Sequence, residues 1–330
     1  MALIKCSECG STISDRTNIC PNCGMPIRQQ KSSNRQNYFI EEIGGQPTKS
    51  PNKSLYIVIT VLLVVILLLG GIVAWNSGLF SSETEAVNQK LENLDPVIKK
   101  LVDNMVLVEG GTFLMGATPE QGHADYDEYP THQVTLSSYK IGRFEVTQEE
   151  WEKVMGGNPS AFSGSKCPVE MVNWEDCQDF IAKLNEMTDL NFRLPTEAEW
   201  EFAARGGKNT TSCQFAGGND LYAQGWYVGN SGNRTKEVGQ KAGNELDLYD
   251  MTGNLWEWCS DWYGTYPGSA QENPTGPTSG SSRAIRGGGW NGGPRNCRIS
   301  NRDGRVSTYK SNRLGLRLVV DVEEEKKTEE

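Results

Sequence analysis

The chain predicts an α+β fold low in regular structure, carried behind a small cysteine-pinned module and one membrane-spanning helix. Three observations predict it. Helix-cap signatures and short strand-like stretches follow one another without a repeating strand–helix order. The C-terminal part is rich in glycine, asparagine and aromatics, the whole chain holding 36 Gly against 14 Pro, with 9 Trp. The cysteines form two groups, Cys6 to Cys23 and Cys167 to Cys297, separated by a long uncharged apolar run. At 330 residues the chain has room for two or three units.

The first unit covers residues 1–27. Cys6-Ser-Glu-Cys9 and Cys20-Pro-Asn-Cys23 each place two thiolates on a tight knuckle, and Gly10 and Gly24 take the unusual backbone angles that follow. Four sulfurs complete a closed tetrahedral zinc site with no open position, so the zinc is structural. So short a segment barely builds a core, and the metal supplies most of its folding energy. A disulfide pair or an iron–sulfur site are the alternatives. The segment resembles the short zinc ribbons at the N-termini of many bacterial membrane proteins.

Residues 28–54 form a basic linker, and 55–75 the membrane span. Leu55–Ala74, LYIVITVLLVVILLLGGIVA, holds no charge. At about 1.5 Å per residue it crosses the roughly 30 Å hydrocarbon core. A buried soluble helix would show a polar face, and none interrupts the run. Arg28, Lys31, Arg35, Lys49 and Lys53 precede it, and the next basic residue is Lys90. The positive-inside rule therefore expects a cytoplasmic N-terminus and an exported C-terminal part, periplasmic or extracellular. Seven Lys/Arg against four Asp/Glu ahead of the span leave +3, so −13 of the total −10 falls on the rest. Nucleic acid is not expected as a partner of so acidic an outer domain. With only His123 and His132, the chain cannot build a three-histidine metal site.

Residues 76–104 read as a helical stalk. Ser82-Glu83-Thr84-Glu85 fits a capping box, and Val87, Leu91, Leu94, Ile98, Leu101 and Val102 recur at helical spacing. Pro96 kinks or restarts that helix. We expect it to pack on the domain that follows, residues 105–320. There Met105–Gly116 reads as a hairpin about Gly110-Gly111, and His132–Thr147 as strands ending at a helix cap. Thr147 with Glu150, Asn173, and Thr196 with Glu199 open three helices. The extensive loops beyond need pinning by buried aromatics, metal ions or both. Residues 321–330 form a charged tail.

A series of motifs runs through this domain: EGGTFLMG (109–116), DEYPTHQVTL (127–136), YKIGRFEVTQEEW (139–151), CPVEMVNWEDC (167–177), FRLPTEAEWEFAARGG (192–207), LYDMTGNLWEWCSDWYG (248–264), AIRGGGW (284–290), NCRISNR (296–302) and LGLRLV (314–319). In this order they resemble the formylglycine-generating enzyme, or sulfatase-modifying factor, family. The resemblance implies a modified C-type-lectin-like α+β domain stabilised by calcium. It also implies oxidation of a sulfatase cysteine to formylglycine on an exported polypeptide, with oxygen and a copper(I) ion held by two thiolates.

Carried over residue by residue, Cys297 matches the second copper cysteine. The first falls on Gly292, and the serine that follows RGG falls on Gly289. These departures remove one copper ligand and one hydroxyl. A buried small side chain, or a disulfide partner in an oxidising compartment, is the other reading of Cys297. The calcium site implied by the family reads Asp250, Gly253, Leu255 and Glu257 here, with turn capping as the other role for Glu257. Arg286 and Arg298 either bind a carboxylate ligand or tie loops to buried carbonyls. Two functions follow: a membrane-anchored enzyme of this family, or a non-catalytic lectin-like binding or scaffold module working on an envelope protein.

Overall fold

The computed structural model describes residues 3–5, 12–14, 87 and 89–322. The chain forms two units, Met1–Leu69 and Gly70–Glu330. In the first, β1 (Leu3–Lys5) and β2 (Thr12–Ser14) pair antiparallel, Leu3 opposite Ser14. The segment joining them carries Cys6 and Cys9. The four zinc-ligand positions, the linker, Leu55–Ala74, residues 76–86 and the tail beyond 322 lie outside the described residues. Among the described residues no helix is long and apolar enough to cross a membrane.

In the second unit Pro96 restarts the chain as a helix. In α1 (Pro96–Asp103) proline occupies the first turn, where its missing N–H costs nothing, and Asp95 caps the end by accepting from Val97 N. Ile98 and Leu101 are buried beside Trp151, Phe180 and Leu184. The expected spacer helix is thus part of the core, and the folded body begins before Met105.

The hairpin expected at Gly110-Gly111 does not form. β3 (Met105–Val108) pairs with β6 (Tyr139–Gly142), and β4 (Gly111–Met115) pairs with β5 (His132–Leu136). Both pairings share one register, so residues 105–115 run antiparallel to 132–142 as a single ribbon that steps from one sheet to another. The step is at Gly110. A Cβ there would lie 2.5 Å from Leu136 O and 2.8 Å from Ser138 N, and its N–H donates to Ser138 Oγ at 3.0 Å. Glycine serves here for close backbone approach rather than for chain reversal.

The three cap signatures appear as read. α2 (Gln148–Met155), α3 (Trp174–Thr188) and α4 (Glu197–Ala204) each open on a full capping box, at Thr147, Asn173 and Thr196. Trp151 stacks on Phe180 with ring centroids 4.8 Å apart, joining α2 to α3. The ribbon's first tier is completed by β13 (Val319–Asp321) and β7 (Phe192–Arg193), its second by β9 (Gln271–Glu272). A separate sheet has β8 (Trp256–Trp262) and β10 (Arg283–Arg286) at its centre, flanked by β12 (Leu314–Gly315) and β11 (Arg302–Arg305).

Buried arginine–carboxylate pairs pin the long loops between these elements. Arg298 grips Glu128 with two bonds of 2.6 and 2.7 Å, and Arg302 grips Glu197 likewise at 2.5 and 2.7 Å. Arg286 pairs with Glu201 and donates to the carbonyls of Ile299 and Asn301. Arg286 and Arg298 are therefore spent inside the fold, on carboxylates and carbonyls alike. Bidentate guanidinium geometry suits this use, because each fork fixes two chain segments at once.

Candidate functional site

The loop after β10 carries the sequence positions singled out for chemistry. Its first two glycines are demanded by the backbone. Gly287 and Gly288 have φ of +97° and +76°, and a Cβ on Gly288 would lie 2.6 Å from Asn296 O. Gly289 and Gly292 differ, since neither has a positive φ. A Cβ on Gly289 would meet Trp256 Cδ1 at 3.3 Å, and one on Gly292 would meet the backbone Gly289 O at 3.2 Å and Asn296 Cβ at 3.3 Å, so each neighbour must give by a few tenths of an ångström. The backbone admits a side chain at both positions with small shifts, so glycine there is a chemical departure rather than a steric need.

Gly292 opens onto a polar groove of about 220 Å³. Asn291 and Asn296 come from the same loop, Asp303 and Arg305 from β11, and Arg313 from the approach to β12; Trp256 closes one side. Arg305 pairs with Asp303 at 2.7 Å, which leaves Arg313 as the groove's cation without a carboxylate among the described residues. The arrangement offers amides, a hydroxyl on Tyr309, a guanidinium and an indole edge. It suits polar recognition of a chain segment.

Cys297 does not line that groove, although its neighbour Asn296 does. It ends a short 3₁₀ turn, Pro294–Cys297, and is fully buried among Phe215, Leu221 and Tyr227. Burial alone pushes its thiol up to about 12, and no cation offsets it. A thiolate nucleophile or metal ligand needs the opposite environment. All five cysteines of this domain are free thiols. Cys259, on β8, packs in a different apolar cluster with Trp200 and Ala284. The residues present therefore do not fit a two-thiolate copper(I) site: one thiol is sequestered in apolar surroundings, and its counterpart position is Gly292.

The four calcium positions form another buried centre. Glu257 receives Arg317 Nη2 at 2.7 Å and Trp200 Nε1 at 2.7 Å. Asp250 accepts from Gly239 N at 2.7 Å through Oδ2, while its buried Oδ1 has no partner among the described residues. Sequence reasoning missed the third carboxylate, Glu145, whose oxygens accept from Leu255 N and Asn254 Nδ2. Burial pushes Asp250 up to about 6 and Glu145 well above the usual range, the latter helped by the Asp250 and Glu257 charges. Three carboxylates thus share one guanidinium. The fit to calcium is partial. Asp250 offers an open oxygen, but Arg317 already serves Glu257, and among the described residues no three Cys, His, Asp or Glu side chains converge as metal ligands. Gly253 donates to none of these carboxylates; its N–H donates to Gly287 O at 2.8 Å.

Comparison with known proteins agrees with this architecture. A sulfatase-modifying factor enzyme 1-like domain matches residues 90–322, and a zinc-ribbon domain matches residues 2–27. Chaperone protein LppX of Paenibacillus barcinonensis is 36% identical over 57% of this chain and 79% of its own length. A formylglycine-generating enzyme of Thermomonospora curvata is 26% identical over 58% of this chain and 84% of its own. The chain spans only 39% of the serine/threonine-protein kinase pkn1 of Chlamydia caviae, at 30% identity over 63% of this chain. Among solved structures, Treponema denticola variable protein 1 is 33% identical with a TM-score of 0.61, covering 66% of this chain and 95% of that one. With matching motifs, matching fold and a family match over most of its length, the chain belongs to the sulfatase-modifying factor family.

Proposed function

We propose that this protein is a membrane-tethered member of the family that binds an exported polypeptide through the groove beside Gly292, and does not oxidise it. The observation that carries this reading is the setting of Cys297. A thiol buried among Phe215, Leu221 and Tyr227 cannot share a soft metal with a position that has no side chain. The polar lining of the groove supports binding, and the likeness to a protein named as a chaperone supports a polypeptide as ligand. The uncharged run Leu55–Ala74 and its basic flank support a single span with a cytoplasmic, zinc-bound N-terminal ribbon and an exported domain.

Copper(I) titration of the full-length protein tests the reading. The double variant Gly292→Cys with Gly289→Ser restores the family's residues at positions whose backbone accepts them. Beyond the copper(I) that the ribbon's four thiolates take in every variant, wild type is expected to bind at least tenfold more weakly than this variant and no more than Cys297→Ser. Tight binding by wild type that is lost in Cys297→Ser would overturn the proposal.

A further inference from the structure

A second and larger cavity, of about 470 Å³, lies between the start of α4 and the proline-rich loop 264–277, outside the groove already described. Its wall includes Asp261, Glu197, Glu272, Arg302 and Tyr266. Asp261 is 4% exposed, yet it has no salt-bridge partner among the described residues. Its Oδ2 accepts from Glu197 N and Ser260 Oγ, both at 3.0 Å. No hydrogen bond reaches Oδ1 from any described residue. The neighbouring cations make no salt bridge to Asp261, although the buried Arg283 Nε has no hydrogen-bond partner among the described residues. Arg302 holds Glu197 and the carbonyls of Gly264 and Asp127. Arg283 is stacked over Trp262, 3.6 Å from the ring centroid, and donates to Ser260 O.

Buried carboxylates in folded proteins are paired, or they carry a proton. Asp261 is drawn toward the proton, lifted to about 7 by burial and then by the charge of Glu197. A ligand cation would take the proton's place. Three carboxylates face the cavity against one arginine, and that arginine is neutralised by Glu197. A bare metal ion does not suit the space: among the described residues no three ligating side chains converge, and the volume far exceeds an ion. Tyr266 and the prolines of the loop instead give apolar walls along which a hydrocarbon stem can lie. We propose that this cavity is a second ligand site, taking an organic cation whose ammonium or guanidinium head meets the open oxygen of Asp261.

The probes are n-butylammonium and methylguanidinium, with n-butanol as the neutral isostere, titrated into full-length protein while backbone amide shifts are followed. Both cations are expected to give saturable shifts confined to the cavity wall, at Thr265, Thr275 and Gly276, and butanol none. Asp261→Asn, which keeps shape and removes the charge, is expected to weaken cation binding at least tenfold. Absence of saturable shifts at those amides, shifts of equal size with butanol, or undiminished binding by a folded Asp261→Asn protein would each overturn the proposal. The amide map reads the site in wild type, so the test stands even where the variant fails to fold.

Discussion

At the scale of single residues, the buried carboxylates divide into two kinds, and the division predicts how stability follows pH. Glu128 and Glu197 are held below the usual range because their arginine partners outweigh burial. Their contribution is present above the unfolded pKa and is lost as pH falls. Asp250 and Asp261 are lifted to about 6 and about 7, since burial has no adjacent cation to offset it fully. For a raised carboxyl the folded state holds the proton more tightly than the unfolded chain. Its contribution is complete below about pH 4 and fades as pH rises through the folded value. Chemical denaturation of wild type is therefore expected to lose stability between about pH 4 and 7, and Asp261→Asn to flatten that slope. Parallel wild-type and variant curves would show that the Asp261 proton is not linked to folding. Calcium at Asp250 would erase that residue's share of the slope, so equal slopes in calcium and in EGTA would count against an ion there.

At the scale of elements, local chemistry was readable wherever one side chain decides the outcome. Thr147, Asn173 and Thr196 announce their helices because a capping box needs only neighbours in sequence. Pro96 announces the restart of α1 for the same reason. Gly110-Gly111 misled, because a glycine needed for close approach to Leu136 and Ser138 looks the same as one needed for a turn. The centre around Arg317 was half legible. Asp250 and Glu257 stand in a recognisable turn, while Glu145 joins them across more than a hundred residues with no local signal. The Asp261 cavity was invisible for that same reason, as its walls come from α4, β8, β9 and β11. Ile98→Ala tests whether α1 is core or spacer. A fully buried isoleucine truncated to alanine costs about 2–5 kcal/mol. Urea denaturation showing no change would mean that the helix rests on the body without stabilising it.

At the scale of the whole molecule, we propose that Leu55–Ala74 crosses the membrane between a cytoplasmic ribbon and an exported family domain. Protease added to spheroplasts is expected to digest the domain and spare the ribbon, and the reverse pattern would invert the orientation. The domain keeps the family's scaffold: Gly287 and Gly288 hold the backbone course of the loop, Gly289 and Gly292 carry no reactive side chain, and Cys297 is buried among Phe215, Leu221 and Tyr227. We propose that this loop does not oxidise a substrate cysteine. The most direct test is to incubate the full-length protein with a sulfatase-type cysteine peptide, copper(I) and oxygen, and to weigh the peptide by mass spectrometry. The account predicts an unchanged peptide mass, the same as with Cys297→Ser. Conversion of the thiol to an aldehyde above that control would contradict it.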